Sequence, residues 1–303
     1  MEESKKITAR SFFGDIACGI CIGIAFIIPG FSGGSVAAIL GIYEKLVGTI
    51  ADIFKNFKKS LITLLPIAIG MACGIISLLF PLSWALEAFP IPTVSIFVGL
   101  AIGGIPSITD KLHGRPTVGN ASIFVITLAL AAALSFLPVS ADVDLFNLNF
   151  GGYVILFFVG LLGSSALVIP GISGSMLLLI LGYYNPIVNL ATDHLLKLRD
   201  VGISILVLGS AALGIAAGFF LISTIMKHLL KFHQRSTYFA ILGFILGSLP
   251  TVFISTAKES GLTLGELMPS ALYWFISALL AMLGFALSFA LIIYSRKKES
   301  ACK

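Results

Sequence analysis

IPGFSGGSVAAILGIYEKLV (residues 28–47) and IPGISGSMLLLILGYYNPIV (residues 169–188) are two copies of one segment, identical at 10 of 20 positions at an offset of 141. Both open on Pro-Gly-x-Ser-Gly inside an apolar run. At an offset of 144 the register continues, with Gly70, Ala72 and Gly74 matching Gly214, Ala216 and Gly218. Thr93, Gly99, Gly103 and Pro106 likewise match Thr237, Gly243, Gly247 and Pro250. A repeat of this length means that the chain is built from two homologous halves. They divide at 1–140 and 141–303 within a single membrane domain.

The solvent of this fold is lipid. Of the 303 residues 58% are AVILMFWYC and 11% are charged, where a soluble domain carries about 25% charged residues. Ten apolar segments are read, near 12–29, 31–50, 60–81, 92–108, 120–138, 152–169, 172–190, 201–225, 236–256 and 270–294, five to each half. The N-terminal MEESKKITARSFFGD mixes acids and bases without a small-residue cleavage site, so no signal peptide is expected. The net charge of +5 sits in short loops between apolar segments, which argues for topology and against a nucleic-acid partner. Cys18, Cys21 and Cys73 fall inside apolar segments and read as small residues at helix interfaces. No metal site and no cofactor are expected.

The motif segments are short. Ile16 to Ile28 and Phe31 to Tyr43 are 13 residues each, about 20 Å of helix against a hydrocarbon core of about 30 Å. Each pair of arms therefore reads as a re-entrant hairpin, near 12–50 and 152–190, followed by about three transmembrane helices (60–138 and 201–294). The first arm of the second copy is longer, so full spanning stays open there. Three crossings per half, or five, is an odd number, and the second half must then be inverted. Charge agrees: with the N-terminus inside, the inner positions hold 15 of the 19 Lys and Arg. Lys45 ends the first hairpin on the same side, and Lys197, Arg199 and Lys258 fall outside. The fold class read is an all-α polytopic membrane protein of two inverted-topology repeats, with both termini cytoplasmic.

A break in mid-membrane needs a reason, since backbone groups freed from a helix cost several kcal/mol each in hydrocarbon (~ per group). Pro29 and Pro170 remove a donor, Gly30 and Gly171 permit a sharp turn, and Ser32 and Ser173 can cap the helix that restarts. The restarted helices turn free amides, around Ser32, Gly33, Gly34 and Ser35 and around Ser173, Gly174 and Ser175, toward the membrane interior. Such amides suit an anion, a phosphate above all. Inverted repeats whose broken helices meet near the midplane are a transporter plan. The alternatives are tight packing of small residues, a small inorganic anion carrier or channel, and a membrane-embedded enzyme acting on lipid phosphates. GFSG (30–33) and GISG (171–174) also fit the Gly-x-Ser-Gly of rhomboid proteases. That chemistry needs a histidine base, and His113, His194, His228 and His233 fall in loops or at segment ends.

GICIGIAFIIPGFSGGSVAAILGIYEKLV and VIPGISGSMLLLILGYYNPIV resemble the paired signatures of the bacterial polyprenyl-phosphate translocase family, called PopT, over nearly the whole chain from about Phe12 to Tyr294. The resemblance implies a non-enzymatic flippase of the bacterial cytoplasmic membrane that returns undecaprenyl phosphate, the carrier lipid of the cell wall, to the inner leaflet. The matching positions are Pro29, Gly30, Ser32, Gly33, Gly34, Gly41, Tyr43 and Glu44, then Pro170, Gly171, Ser173, Gly174, Ser175, Gly182 and Tyr184. Phe26 departs from many members, which carry Asp or Asn there, so no polar role is carried to it.

Glu44 and its repeat counterpart Asn185, with Tyr43 and Tyr184 beside them, are candidates for coupling or gating, the ion being a proton or sodium. A carboxylate here, Glu44 or Asp15, is placed either to carry a proton or to pair with Lys45 or Arg10. Lys197 and Arg199 follow the second hairpin as Lys55, Lys58 and Lys59 follow the first. They are candidates for gathering lipid phosphates from the facing leaflet.

Overall fold

The computed structural model describes residues 9–28, 32–112, 116–134, 136–138, 140–190, 201–260, 262–267 and 270–300. Among them the chain is helical without strands. The first half contains α1 (Ala9–Ile27), α2 (Gly33–Ile39), α3 (Tyr43–Ala51), α4 (Phe57–Ala88), α5 (Pro90–Thr109) and α6 (Val118–Leu134). The second half contains α7 (Phe150–Val168), α8 (Gly174–Ile180), α9 (Tyr184–Asn189), α10 (Val201–Phe232), α11 (Gln234–Ser260), α12 (Leu264–Leu267) and α13 (Ala271–Ser300). Apart from the short α12, the two halves repeat one order of elements.

Among the described residues five helices, α4, α5, α10, α11 and α13, are long and apolar enough to cross a bilayer, and the bent pair α2 and α3 makes a sixth if it counts as one span. The chain is thus a multi-pass membrane protein. Its outer faces carry exposed Ile76, Phe80, Leu213 and Leu291, as expected where the surroundings are acyl chains. Cys21 and Cys73 are also exposed, which corrects their reading as interface residues.

Helix pairing follows the glycines. α1 packs along α4 and α7 along α10; α5 packs along α13 and α11 along α6. A Cβ on Gly70 would run into the Ile16 carbonyl, and one on Gly214 into the Phe157 carbonyl. These are repeat mates meeting repeat mates. Gly99 meets Ala281 and Gly243 meets Phe124 in the same manner. In a bilayer, where lipid is as apolar as Leu, such close backbone approach is what holds helices together. The last two pairings cross between halves, so the final helix of each half packs on the other.

The motif segments differ from the sequence reading in the division of their second arm. The expected arm from Phe31 to Tyr43 is divided: α2 stops at Ile39, and α3 leaves at 120° to it. Gly41, at φ +73°, closes α2 with hydrogen bonds from its own amide to the Ala38 carbonyl (3.1 Å) and from the Ile42 amide to Ala37 (3.0 Å). Gly182, at φ +75°, closes α8 identically, with its amide on Leu179 (3.0 Å) and the Tyr183 amide on Leu178 (2.9 Å). This is the left-handed glycine cap of a helix C-terminus. It leaves α2 and α8 only seven residues long.

Candidate functional site

At the first break α1 ends and α2 restarts at Gly33; Pro29 and Gly30 lie outside the described residues. Ser32 stands at the N-cap with extended backbone, and its carbonyl accepts from the amides of Ser35 (3.0 Å) and Val36 (3.3 Å). Its hydroxyl makes no cap. Ser32 and Ser35 are each 3% exposed, and among the described residues neither hydroxyl has a hydrogen-bond partner. Such orphaned hydroxyls are costly to bury. Gly33 and Gly34 are buried beside them, with the Phe26 ring against Gly33, so that a Cβ there would come within 3.0 Å of it.

The second break is satisfied from within. Pro170 is fully buried, and Gly171, at φ +89°, lies against the carbonyl of Phe244. Ser173 is the N-cap of α8: its hydroxyl accepts from the Met176 amide at 3.4 Å and lies 3.0 Å from the Ser175 hydroxyl. Gly174 is buried next to it. The predicted serine cap is therefore made in the second copy and not in the first.

The first break lies against the end of the helix that leads into the second. Buried Tyr43, at the start of α3, donates its hydroxyl to the Val168 carbonyl at 3.0 Å. Val168 is the last residue of α7, whose terminal carbonyls have no helical partner. A cavity of about 160 Å³ is lined by Phe26, Gly33, Gly34, Ala37, Tyr43 and Val168.

Beside Tyr43, Glu44 leaves toward α11. Its Oε1 accepts from the Tyr238 hydroxyl at 2.5 Å and from Gln234 Nε2 at 3.2 Å, and Lys111 Nζ is 4.0 Å away. The carboxylate that pairs with Lys45 is Asp15, at 2.5 and 2.6 Å. Asp52, just beyond α3, pairs with Lys227 of α10 at 2.5 Å. α3 and its C-cap are thus tied to the second half by the side chains of Tyr43, Glu44 and Asp52. At the counterpart position the exposed Asn185 donates from Nδ2 to Asp142 Oδ1 at 3.3 Å, in the linker before α7, and Tyr184 is half-buried. Lys197 and Arg199 lie outside the described residues.

Tyr238, Gln234, Asp52 and Val168 were not singled out in the sequence. A signal existed for Tyr238, a phenol inside an apolar segment, whose hydroxyl must find a partner when buried. In the first half the corresponding residue at the 144 offset is Val94.

The model of the undecaprenyl phosphate translocase-like family matches residues 22–265. A polyprenyl-phosphate transporter of Staphylococcus aureus is 32% identical over 285 residues, covering 91% of this chain and 95% of that protein. A polyprenyl-phosphate transporter of Vibrio cholerae is 26% identical over 257 residues, covering 78% and 75%. No solved structure matches. With a family match over most of its length that takes in both breaks, the chain belongs to the undecaprenyl phosphate translocase-like family.

Proposed function

We propose that this protein carries undecaprenyl phosphate across the bacterial cytoplasmic membrane, returning the carrier lipid from the outer to the inner leaflet. The observation that carries this reading is the pair of broken segments, one from each half, linked by the Tyr43 hydrogen bond to Val168 just ahead of the second break, in a chain similar along 91% of its length to a polyprenyl-phosphate transporter. The two halves are inverted repeats with re-entrant hairpins and cytoplasmic termini. The charge distribution and the twofold recurrence of the helix pairs support that arrangement.

The phosphate is held by the first amides of α2 and α8, with the hydroxyls of Ser32, Ser35, Ser173 and Ser175 and backbone around Pro29, Gly30, Gly33, Gly34, Pro170, Gly171 and Gly174. The isoprenoid stays in lipid. The unpartnered Ser32 and Ser35 hydroxyls are the donors a phosphate would satisfy. Binding without a cation at the break would be weak enough to release on either side. Tyr43 and Glu44 hold the first hairpin against the second half, and Glu44, bound to Tyr238 and Gln234, is the coupling or gating group. Tyr184 and Asn185 occupy the matching place in the other half. Lys197 and Arg199 gather substrate from the far leaflet.

The experiment is reconstitution into vesicles with fluorescent undecaprenyl phosphate, following loss of signal accessible from one leaflet. Protein-dependent exchange of this lipid, with no flux of inorganic phosphate, is the expected result. Phosphate flux without lipid exchange would replace this reading by the small-anion carrier.

A further inference from the structure

α5 and α11 are repeat mates that pack on each other, and the two ends of their crossing are equivalent at the 144 offset. At one end Ile108 lies with Tyr238 and Ile241; at the other Val252 lies with Val94 and Phe97. The preceding helix completes each set, with Met226 and Leu230 from α10 at the first end and Leu82 and Leu86 from α4 at the second. Residue for residue these are mates, and apart from the Tyr238 hydroxyl they are apolar. The chain thus builds one apolar seat twice.

What fills the seat differs between the ends. At the first it is α3, which packs along α10 and buries Tyr43 and Val47 in the same cluster. At the second the equivalent helix is α9, with Tyr184 and Val188 as the mates. Among the described residues α9 has no comparable packing on α4, and Val188 is 41% exposed where Val47 is 0%. That end holds Ile28 instead, 2% exposed, with Ile24 of α1 beside it. The mate of Ile28 is Ile169, which is half-buried, stands outside the first cluster and lines the lateral space between α6, α10 and α11. Where the short helix is in, the isoleucine ahead of the break is out, and the reverse.

We infer that α9 and Ile28 compete for the seat at Leu82, Leu86, Val94 and Phe97, as α3 and Ile169 do at the other end. Docking of a short helix then drives off the isoleucine that directly precedes Pro29 or Pro170, and so shifts the adjoining break. Packed interfaces hold discrete arrangements of this kind and do not deform continuously. Side-chain ties explain why α3 is the helix that is seated. Glu44 accepts from Tyr238 and Asp52 pairs with Lys227, whereas the mates of Tyr238 and Lys227 are Val94 and Ser83, so that α9 meets neither partner in its own seat. The inference rests on the proposed function for what the movement serves, the passing of a lipid phosphate from one face to the other.

The test is cross-linking with a short thiol reagent, on the full chain in phosphatidylethanolamine and phosphatidylglycerol vesicles, with its four cysteines replaced by alanine. Val47→Cys with Leu230→Cys reports α3 in its seat and should give the major product. Val188→Cys with Leu86→Cys reports α9 in its seat. Its product should be minor, yet at least threefold above that of Val188→Cys with Phe80→Cys, Phe80 being 80% exposed on α4. Ile28→Ala should raise the 188–86 product at least threefold, and Ile169→Ala should leave it unchanged. A 188–86 product no greater than the Phe80 control, read in a chain with Ile28 intact, would overturn the inference. So would an equal rise with Ile28→Ala and Ile169→Ala, or no rise in an Ile28→Ala chain that still gives the 47–230 product. Cross-linking is read without transport. A chain that gives the 188–86 product yet exchanges no undecaprenyl phosphate would sink the transport reading and leave the exchange of seats standing; lipid exchange without that product would do the reverse.

Discussion

The hydroxyl of Tyr43 donates a 3.0 Å hydrogen bond to the carbonyl of Val168, 125 residues away, and so fastens the start of α3 in one half to the end of α7 in the other. Both groups are buried. Tyr43→Phe keeps the ring and leaves the carbonyl without this donor, at a cost of about 1–3 kcal/mol. The expected outcome is a lower melting temperature in detergent with the helical content retained. A melting curve unchanged from the parent would show that this bond does not fasten the halves.

Glu44 and Tyr238 make the neighbouring tie at 2.5 Å. If Glu44 titrates during transport, Glu44→Gln changes the shape of the rate-against-pH profile. A uniform loss of rate at every pH would assign it a packing role. Tyr238→Phe should cost less in the Glu44→Ala background than in the parent, because the bond it removes is already gone. Additive losses would deny the contact.

The glycine caps separate strain from crowding. A Cβ on Gly41 meets nothing within 4 Å, so Gly41→Ala pays only for the left-handed backbone, about 1–2 kcal/mol. A Cβ on Gly182 would in addition strike the Ala141 carbonyl. Chemical unfolding should therefore rank Gly182→Ala as clearly the worse of the two. Equal losses would mean that the 140–143 linker is not packed where its amides meet Ile180 and Gly182.

Gly70 and Gly214 extend the comparison between halves. Both accept a partner backbone at the distance a side chain would fill, so Gly70→Leu and Gly214→Leu should each abolish the monodisperse peak in size-exclusion chromatography. Survival of either would break the equivalence of the α1–α4 and α7–α10 pairs.

These residues also mark how far the sequence could be read. The span read at 92–108 is α5, Pro90–Thr109, because a long apolar run bounded by polar residues leaves few choices in a bilayer. The repeat mates Gly70 with Gly214 and Gly99 with Gly243 were visible as identities, and each proves to be a crossing point. The turn at Gly41 was hidden, since a left-handed cap inside an apolar run leaves only one glycine as its trace. Pairing between halves, α5 with α13 and α11 with α6, was hidden as well, because self-similarity says which helices are equivalent and not which copy they pack against. Of the site, Tyr43 and Glu44 were legible at the motif's edge. Their partners Val168, Tyr238 and Gln234 lie more than 120 residues away, and nothing in the spacing of the motif points to them.

The two breaks now differ in a way the sequence did not suggest. The Ser173 and Ser175 hydroxyls bond each other, while among the described residues those of Ser32 and Ser35 have no partner. If the paired breaks hold the phosphate, the measurement that decides it is the rate of fluorescent undecaprenyl phosphate exchange in vesicles carrying Ser32→Ala with Ser173→Ala. The account predicts at least a tenfold loss in a protein whose melting temperature and chromatographic profile match the parent. Exchange at the parent rate would contradict it.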